Sequence, residues 1–354
     1  MSNPETATYD RETPSQRWGL VGTVALVLTL IGLTAWELQM RSIGLFAGDL
    51  SNSPDAWAVE RRKLMHPDTD AIAVVGASRI LFDLNLNIFE ERTGIRPIQL
   101  ALGGTNARPY LQDMGDNEAF NGLLIVGITP GSFFREPRPR HFGRLERFRN
   151  QSPAQRTSHW IGQFLDEYLA FIDSGYALFN IIEQNEWPER GDIDGPYLDV
   201  WKLSSRGPDR YTYMWPRLEH DAYLVDHAQR VWSNGMSKPR TQREDIVNQV
   251  IDAAVINVQD IRARGGEVTF VRLPSTGEYI ELETNKFPRA QVWDRLLKET
   301  GSFGVHFADY PQLKDLDPPE WSHLYREDAD IFTREYARIL LDELEWFRDR
   351  QPQL

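Results

Sequence analysis

The sequence predicts an α/β fold: a doubly wound, mainly parallel sheet with a helical insertion and one N-terminal transmembrane helix. Three observations carry that expectation. Apolar runs rich in β-branched residues end in turns at residues 71–78 (AIAVVGAS) and 122–130 (GLLIVGITP), as buried strands do. Helical stretches separate one strand from the next, which is the spacing of parallel strands joined by crossovers. Residues 18–36 (WGLVGTVALVLTLIGLTAW) carry no charge over about 19 positions, the length a helix needs to cross a hydrocarbon core.

In chain order, residues 1–17 are polar and read as a disordered tail. The apolar helix follows, with Trp18 and Trp36 placed for the two interfaces. It is longer than the apolar core of a signal peptide, and no A-x-A cleavage site follows it. Residues 38–69 read as a juxtamembrane connection with a short helix at 55–65. The first strand is 71–78, and a helical stretch runs to about Arg92. The second strand is 97–102 (PIQLAL), ending in Gly103 and Gly104, and the third is 122–130. Residues 131–240, rich in Arg, Trp, Tyr and Pro, break the rhythm and read as a mostly helical insertion. Regularity returns at Thr241, where TQRE spells a capping box with Glu244 at its fourth position. Ile246, Val247, Val250, Ile251, Ala254, Val255 and Val258 then mark a helical stripe. The fourth strand is 267–274 and a fifth runs through 305–307. The last helix, about 327–348, presents Phe332, Tyr336, Leu340 and Leu344 on one face.

Composition removes several function classes. The chain has 354 residues, 41% of them hydrophobic, which is enough for one large α/β domain or two small ones. Its net charge of −13 disfavours nucleic acid, whose phosphates need a Lys/Arg surface. Arginines do cluster between Arg135 and Arg149, either as a solvated face or as a surface for an anionic lipid headgroup or acidic glycan. With no cysteine, disulfides, thiolate nucleophiles and Cys-ligated zinc are excluded. His220 and His227, seven residues apart, would share a helix face, but no compact ligand motif surrounds them. The sequence therefore predicts no metal and no cofactor.

Ligands of open parallel sheets bind beyond the carboxyl ends of the strands. Three strands here end in polar or glycine-rich turns: Gly76-Ala77-Ser78-Arg79, Gly103-Gly104-Thr105-Asn106 and Arg272-Leu273-Pro274-Ser275. A fourth element, EWSHL at 320–324, precedes the last helix. Together they offer a serine, backbone N–H groups, an Asn, a His and a carboxylate, the parts an acyl-transfer site requires. Arg79 and Arg272 either neutralise nearby carboxylates or grip an anionic substrate, with Ser275 beside them.

The order G-x-S, a Gly block, and acid-x-x-His-Leu before a terminal helix resembles the SGNH (GDSL-type) hydrolases. Within that superfamily it is similar to the membrane-anchored branch that includes alginate O-acetylation proteins and the D-alanyl transfer protein of teichoic acid. The resemblance covers roughly residues 71–129 and 267–348. It implies Ser78 as nucleophile, His323 as general base, Glu320 as the acid partner, and Gly104 as an oxyanion donor with the Ser78 N–H. The family's Gly-x-Asn-Asp block is replaced by Gly127-Ile128-Thr129-Pro130, and Asn106 is the candidate substitute for its Asn. The charges flanking the apolar helix do not set its orientation. The resemblance implies a cytoplasmic tail (1–17), a transmembrane helix (18–37), a juxtamembrane connection (38–69) and an SGNH-like domain (70–350) with an insertion at about 131–240. It places that domain outside the inner membrane, in the periplasm or extracytoplasmic space.

Two functions of different class follow. One is an O-acyltransferase or esterase acting on an envelope glycan, beside a multi-spanning membrane acyltransferase as in the branch it resembles. The other is a catalytically inactive binding or assembly subunit of a membrane complex. A competent triad brings Ser78 Oγ to about 3 Å from the His323 ring.

Overall fold

The computed structural model describes residues 15–176, 202–237 and 244–350. It is a mixed α/β structure with a five-stranded parallel sheet and one N-terminal apolar helix, Trp18–Ser42. That helix has 25 residues, about 37 Å of length at 1.5 Å per residue. Of its residues only Met40 is buried, and it is long and apolar enough to cross a membrane.

The strands are β1 (Ile72–Val75), β2 (Ile98–Gln99), β3 (Leu123–Gly127), β6 (Glu267–Arg272) and β7 (Gly304–His306), in the order β2-β1-β3-β6-β7. Val75 pairs with Val126, Val126 with Phe270, and Arg272 with His306, all in parallel. Alternate residues feed two cores. Ala73, Val75, Leu124, Val126, Val268 and Phe270 pack with the helices Arg108–Gly115 and Glu244–Ala263. Ile72, Val74, Leu123, Ile125 and Val271 pack with Ser78–Asp83 and Arg326–Glu343. A sheet covered on both faces needs strands apolar at every position, which is why the runs read as continuous rather than alternating.

The strand order reverses between β1 and β3, so the crevice at their carboxyl ends is the natural ligand site of this topology. Two glycines bring the first crossover helix close to that point. A Cβ on Gly76 would lie 2.4 Å from Ile80 Cγ2, and one on Gly127 2.5 Å from the same atom. Ile80 therefore seats over both strand ends and fixes the helix that starts with Ser78.

Several elements differ in extent from the expectation. The second strand shrinks to two residues. The helix expected at 55–65 is Pro54–Arg62, capped by Ser53 Oγ accepting from the Ala56 N–H at 3.0 Å, followed by a 3₁₀ turn at Lys63–Met65. Its Trp57 is fully buried in the domain core and donates its indole N–H to the Leu100 carbonyl at 2.9 Å. The last helix stops at Glu343, where Leu344 turns extended, and a short turn Glu345–Arg348 follows. Phe332, Tyr336, Leu340 and Leu344 are all buried. The insertion holds the helices Gly143–Asn150, Pro153–Tyr168 and Ala222–Ser237, but also an antiparallel hairpin of β4 (Ser204–Arg206) and β5 (Thr212–Met214). Three-residue strands are too short to show alternation, so the hairpin leaves no periodic signal. Thr241 lies outside the described residues; the helix it was expected to cap begins by Glu244 and buries Val247, Val250, Ile251, Ala254 and Val258.

Candidate functional site

Two adjoining cavities, of about 450 and 600 Å³, open at the carboxyl edge of the sheet. Both are lined by Ser78, Gly104, Arg140, Trp232, Tyr279 and Ser322. Ser78 is the first residue of the helix after β1, half-buried at the junction of the two.

His323 and Glu320 meet beside it. Glu320 Oε1 lies 2.9 Å from His323 Nδ1 and accepts the His323 backbone N–H at 2.5 Å. The other carboxylate oxygen, Oε2, accepts the indole N–H of Trp232 at 2.5 Å. Both oxygens are thus committed and the carboxylate has no exposure to water. With Nδ1 facing a carboxylate, the imidazole is held as the Nδ1–H tautomer, and Nε2 is left with its lone pair. Nε2 is buried and has no hydrogen-bond partner, and His323 lines the larger cavity together with Ser78. The ring stacks on Phe82, centroids 4.2 Å apart and planes 26° apart, which sets its tilt. The Ser78–His323 hydrogen bond that a competent triad makes is therefore not formed in this structure, although both residues face one cavity.

The loop carrying the pair is held from several sides. Asp83 Oδ1 accepts the Leu324 N–H at 2.9 Å, and Gln229 donates to the Pro319 carbonyl at 2.8 Å. Burial pushes the Asp83 carboxyl well above its usual range, against the Leu324 N–H and the Arg79 charge. Trp321, between Glu320 and His323, has φ +73°, a left-handed conformation unusual for a bulky side chain. Its carbonyl accepts the Thr276 N–H at 3.1 Å. Its indole occupies the space over Gly277, where a Cβ would come within 2.4 Å of the ring.

The two arginines share one carboxylate. Arg79 Nη1 lies 3.0 Å from Glu283 Oε1, and Arg272 Nη2 also donates to Glu283. Ser275 Oγ donates to Glu283 Oε2 at 2.9 Å. All four residues are buried. Burial drives the Arg272 guanidinium down to about 10, Glu283 opposing and Arg79 adding to the fall. The Glu283 carboxyl would rise on burial, but Arg272 and Arg79 outweigh that and hold it below its usual range. Arg272 and Ser275 are thus spent on Glu283 and line neither cavity. Of the three residues expected at a substrate, only Arg79 reaches a cavity wall, with Nη2 buried and unpartnered.

Asn106 is a correction. Its amide donates to the Ser132 carbonyl at 2.6 Å and to the Arg135 carbonyl at 2.9 Å, and its oxygen accepts the Arg108 N–H at 2.9 Å. Both amide hydrogens are consumed, so Asn106 cannot supply the missing oxyanion donor; it pins the 129–135 turn. Gly104, in contrast, is exposed at both cavities. His220 and His227 also depart from the expectation. His220 ends a 3₁₀ turn, Asp221 is extended, and His227 lies on the following helix, so they do not share one face. Among the described residues no cluster of three His, Asp or Glu could hold a metal.

Sequence reasoning missed Trp232, Glu283, Asp83 and Tyr279. Trp232 comes from the insertion, 88 residues before its partner, and Glu283 stands 204 residues after Arg79. Two arginines near the strand ends were the signal in the sequence for a carboxylate partner, beside the alternative of an anionic substrate. No family model matches the chain, and no curated protein matches it significantly.

Proposed function

We propose that the chain is a membrane-anchored, SGNH-like O-acyltransferase or esterase acting on an envelope glycan through Ser78, His323 and Glu320. One observation supports this reading above the rest: a buried imidazole fixed by Glu320 on Nδ1, with Nε2 unpartnered, in a residue that lines one cavity together with a strand-end serine. Buried polar atoms are nearly always satisfied, so an orphaned Nε2 at a cavity wall is a group kept for an incoming partner.

In this reading Ser78 Oγ adds to the carbonyl of an acyl ester. His323 Nε2 takes the hydroxyl proton, and the Glu320 charge stabilises the imidazolium. The carbonyl oxygen becomes an oxyanion, met by the backbone N–H groups of Ser78 and Gly104. Collapse expels the donor alcohol, which leaves with the proton from Nε2, and the acyl group stays on Ser78. A sugar hydroxyl, or water, then gives its proton to Nε2 and adds to the acyl carbonyl. Ser78 departs and regains its proton. The Trp18–Ser42 helix acts as a single-pass anchor in the inner membrane, with the domain on the extracytoplasmic side. There it would meet a glycan and a multi-spanning acyltransferase partner.

A second reading, a non-catalytic binding or assembly subunit, is favoured by the unmade Ser78–His323 bond and by the committed Asn106 amide. A fluorophosphonate probe separates the two. On the enzyme reading the probe labels Ser78, and labelling disappears in Ser78→Ala and falls to a small residue in His323→Ala. A folded protein that takes no label, or equal label in Ser78→Ala, leaves only the binding subunit.

A further inference from the structure

The helix Pro153–Tyr168 presents Trp160, Ile161, Phe164, Leu165 and Tyr168 to solvent. Their spacing puts all five on one face. The exposure is large, 76% for Trp160 and 61% for Phe164. Soluble surfaces rarely leave a row of large apolar side chains uncovered, so this face has an occupant. The opposite face is fastened to the domain. Asp166 Oδ2 accepts the Ser51 N–H at 2.9 Å, the Asp166 carbonyl accepts the Gly48 N–H at 2.8 Å, and His159 lies against Ser53.

The position of this helix identifies the occupant. Glu37, the first charged residue after the uncharged segment ending at Trp36, accepts the backbone N–H groups of Ala170 and Phe171, each at 2.9 Å through Oε2. Arg41, paired with Glu37, reaches the Tyr168 carbonyl at 3.5 Å. The end of the exposed helix is therefore tied to the turn of the anchor that emerges from the hydrocarbon. We propose that the helix Pro153–Tyr168 lies in the plane of the bilayer interface, with its aromatic stripe among the lipid headgroups and upper acyl chains. The inference rests on the anchor reading of the Trp18–Ser42 helix. Trp and Tyr are the side chains that favour this layer, and Arg156, exposed at the border of the stripe, suits anionic headgroups. Trp160 stands eight residues from Tyr168, about 12 Å along the axis. The interfacial layer is only about 5–7 Å deep on each side, so a helix standing upright would lift Trp160 clear of it. The domain would then touch the membrane at two places, and the height of its cavities above the lipid would be set.

The chain has no native cysteine, so single cysteines label uniquely. Full-length Leu28→Cys, Trp160→Cys, Phe164→Cys and Ile256→Cys would each carry a nitrobenzoxadiazole fluorophore in phosphatidylethanolamine/phosphatidylglycerol vesicles. Leu28 reports the anchor, and Ile256, 58% exposed on the 244–263 helix, reports the solvent face. At 160 and 164 the probes should be quenched by headgroup-proximal nitroxide lipids and several-fold less by iodide than the probe at 256. Iodide access at 160 and 164 with lipid quenching at 28 overturns the interfacial helix and leaves the anchor. Iodide access at 164 suppressed without lipid quenching means that protein covers the stripe, which also overturns it. A probe at 28 quenched by iodide and not by lipid overturns the anchor and the interfacial helix together.

Discussion

Replacing Glu283 by alanine is the sharpest test of how the site is supported. Glu283 is 3% exposed and, among the described residues, is the carboxylate bound to both Arg79 and Arg272. Its Oε1 and Oε2 take Arg79 Nη1 at 3.0 and 3.1 Å, and Oε2 also takes Arg272 Nη2 and the Ser275 hydroxyl. Alanine removes those acceptors and leaves two buried guanidiniums facing one another. Removing one partner of a buried ion pair costs about 3–5 kcal/mol, because the remaining charge stays desolvated and uncompensated. Two charge-assisted hydrogen bonds at about 1.5–3 kcal/mol each give the same scale. Glu283→Gln keeps the volume and one acceptor oxygen, so its loss should be smaller. Urea unfolding of the detergent-solubilised full chain, followed by tryptophan fluorescence, measures this as a lower midpoint at unchanged slope. A loss below about 1 kcal/mol, the size seen for exposed pairs, would refute the buried-network argument. The pH dependence gives a second reading of the same group. Its folded pKa is lowered, so its stabilisation is present above the ordinary value of 4.5 and is lost as pH falls through the folded pKa. The Glu283→Gln protein should lack that part of the acid-limb loss, and an identical acid limb in both proteins would contradict the assignment.

Two further outcomes follow. Trp232→Phe removes the indole N–H that holds Glu320 Oε2, with the smaller ring keeping most of the aromatic surface, so the protein should stay folded while fluorophosphonate labelling of Ser78 slows about tenfold or more, one hydrogen bond of about 1.4 kcal/mol; unchanged labelling would show that Glu320 is held without it. Asp83 has a raised folded pKa, so its contribution is present below its ordinary value of 3.8 and is lost as pH rises through the folded pKa. Asp83→Asn keeps an acceptor for the Leu324 N–H, so its stability relative to wild type in urea should rise from pH 5 to pH 9, and a difference that is flat with pH would count against a buried acid there.

Much of the frame was legible because it depends on local pattern. Runs such as Ile72–Val75 and Leu123–Gly127 are apolar at every position, a signature that burial on both faces imposes. The Glu320–His323 contact was legible because the two residues stand three apart on one loop, in a motif that resembles a family pairing an acid with a histidine. What long-range contacts decide was not legible. The sequence shows that Asn106 can donate, but not that Ser132 and Arg135 already take both hydrogens. It shows Arg272 at a strand end, but not that Glu283, eleven residues on, turns it away from the cavities. Trp232 sits in a segment without periodicity, so nothing marked it as the third contact of Glu320. The long N-terminal apolar helix was plain from its uncharged run, but the tie between Glu37 and the backbone of Ala170 and Phe171 spans more than 130 residues.

The left-handed Trp321 has a consequence for how the site can fail. Strain of about 1–3 kcal/mol at a non-glycine residue persists only where its surroundings enforce it. Here the enforcement comes from a hydrogen bond to Thr276 and from the bare backbone of Gly277, while acid and base flank the strained residue. A peptide that relaxes at Trp321 swings Glu320 and His323 in the same motion. The two share one pivot, so a change there displaces the carboxylate and the imidazole together. A single missing methyl at position 277 therefore acts as the latch for both groups at once, and a side chain there would displace the Glu320–His323 pair while leaving the sheet beneath it intact.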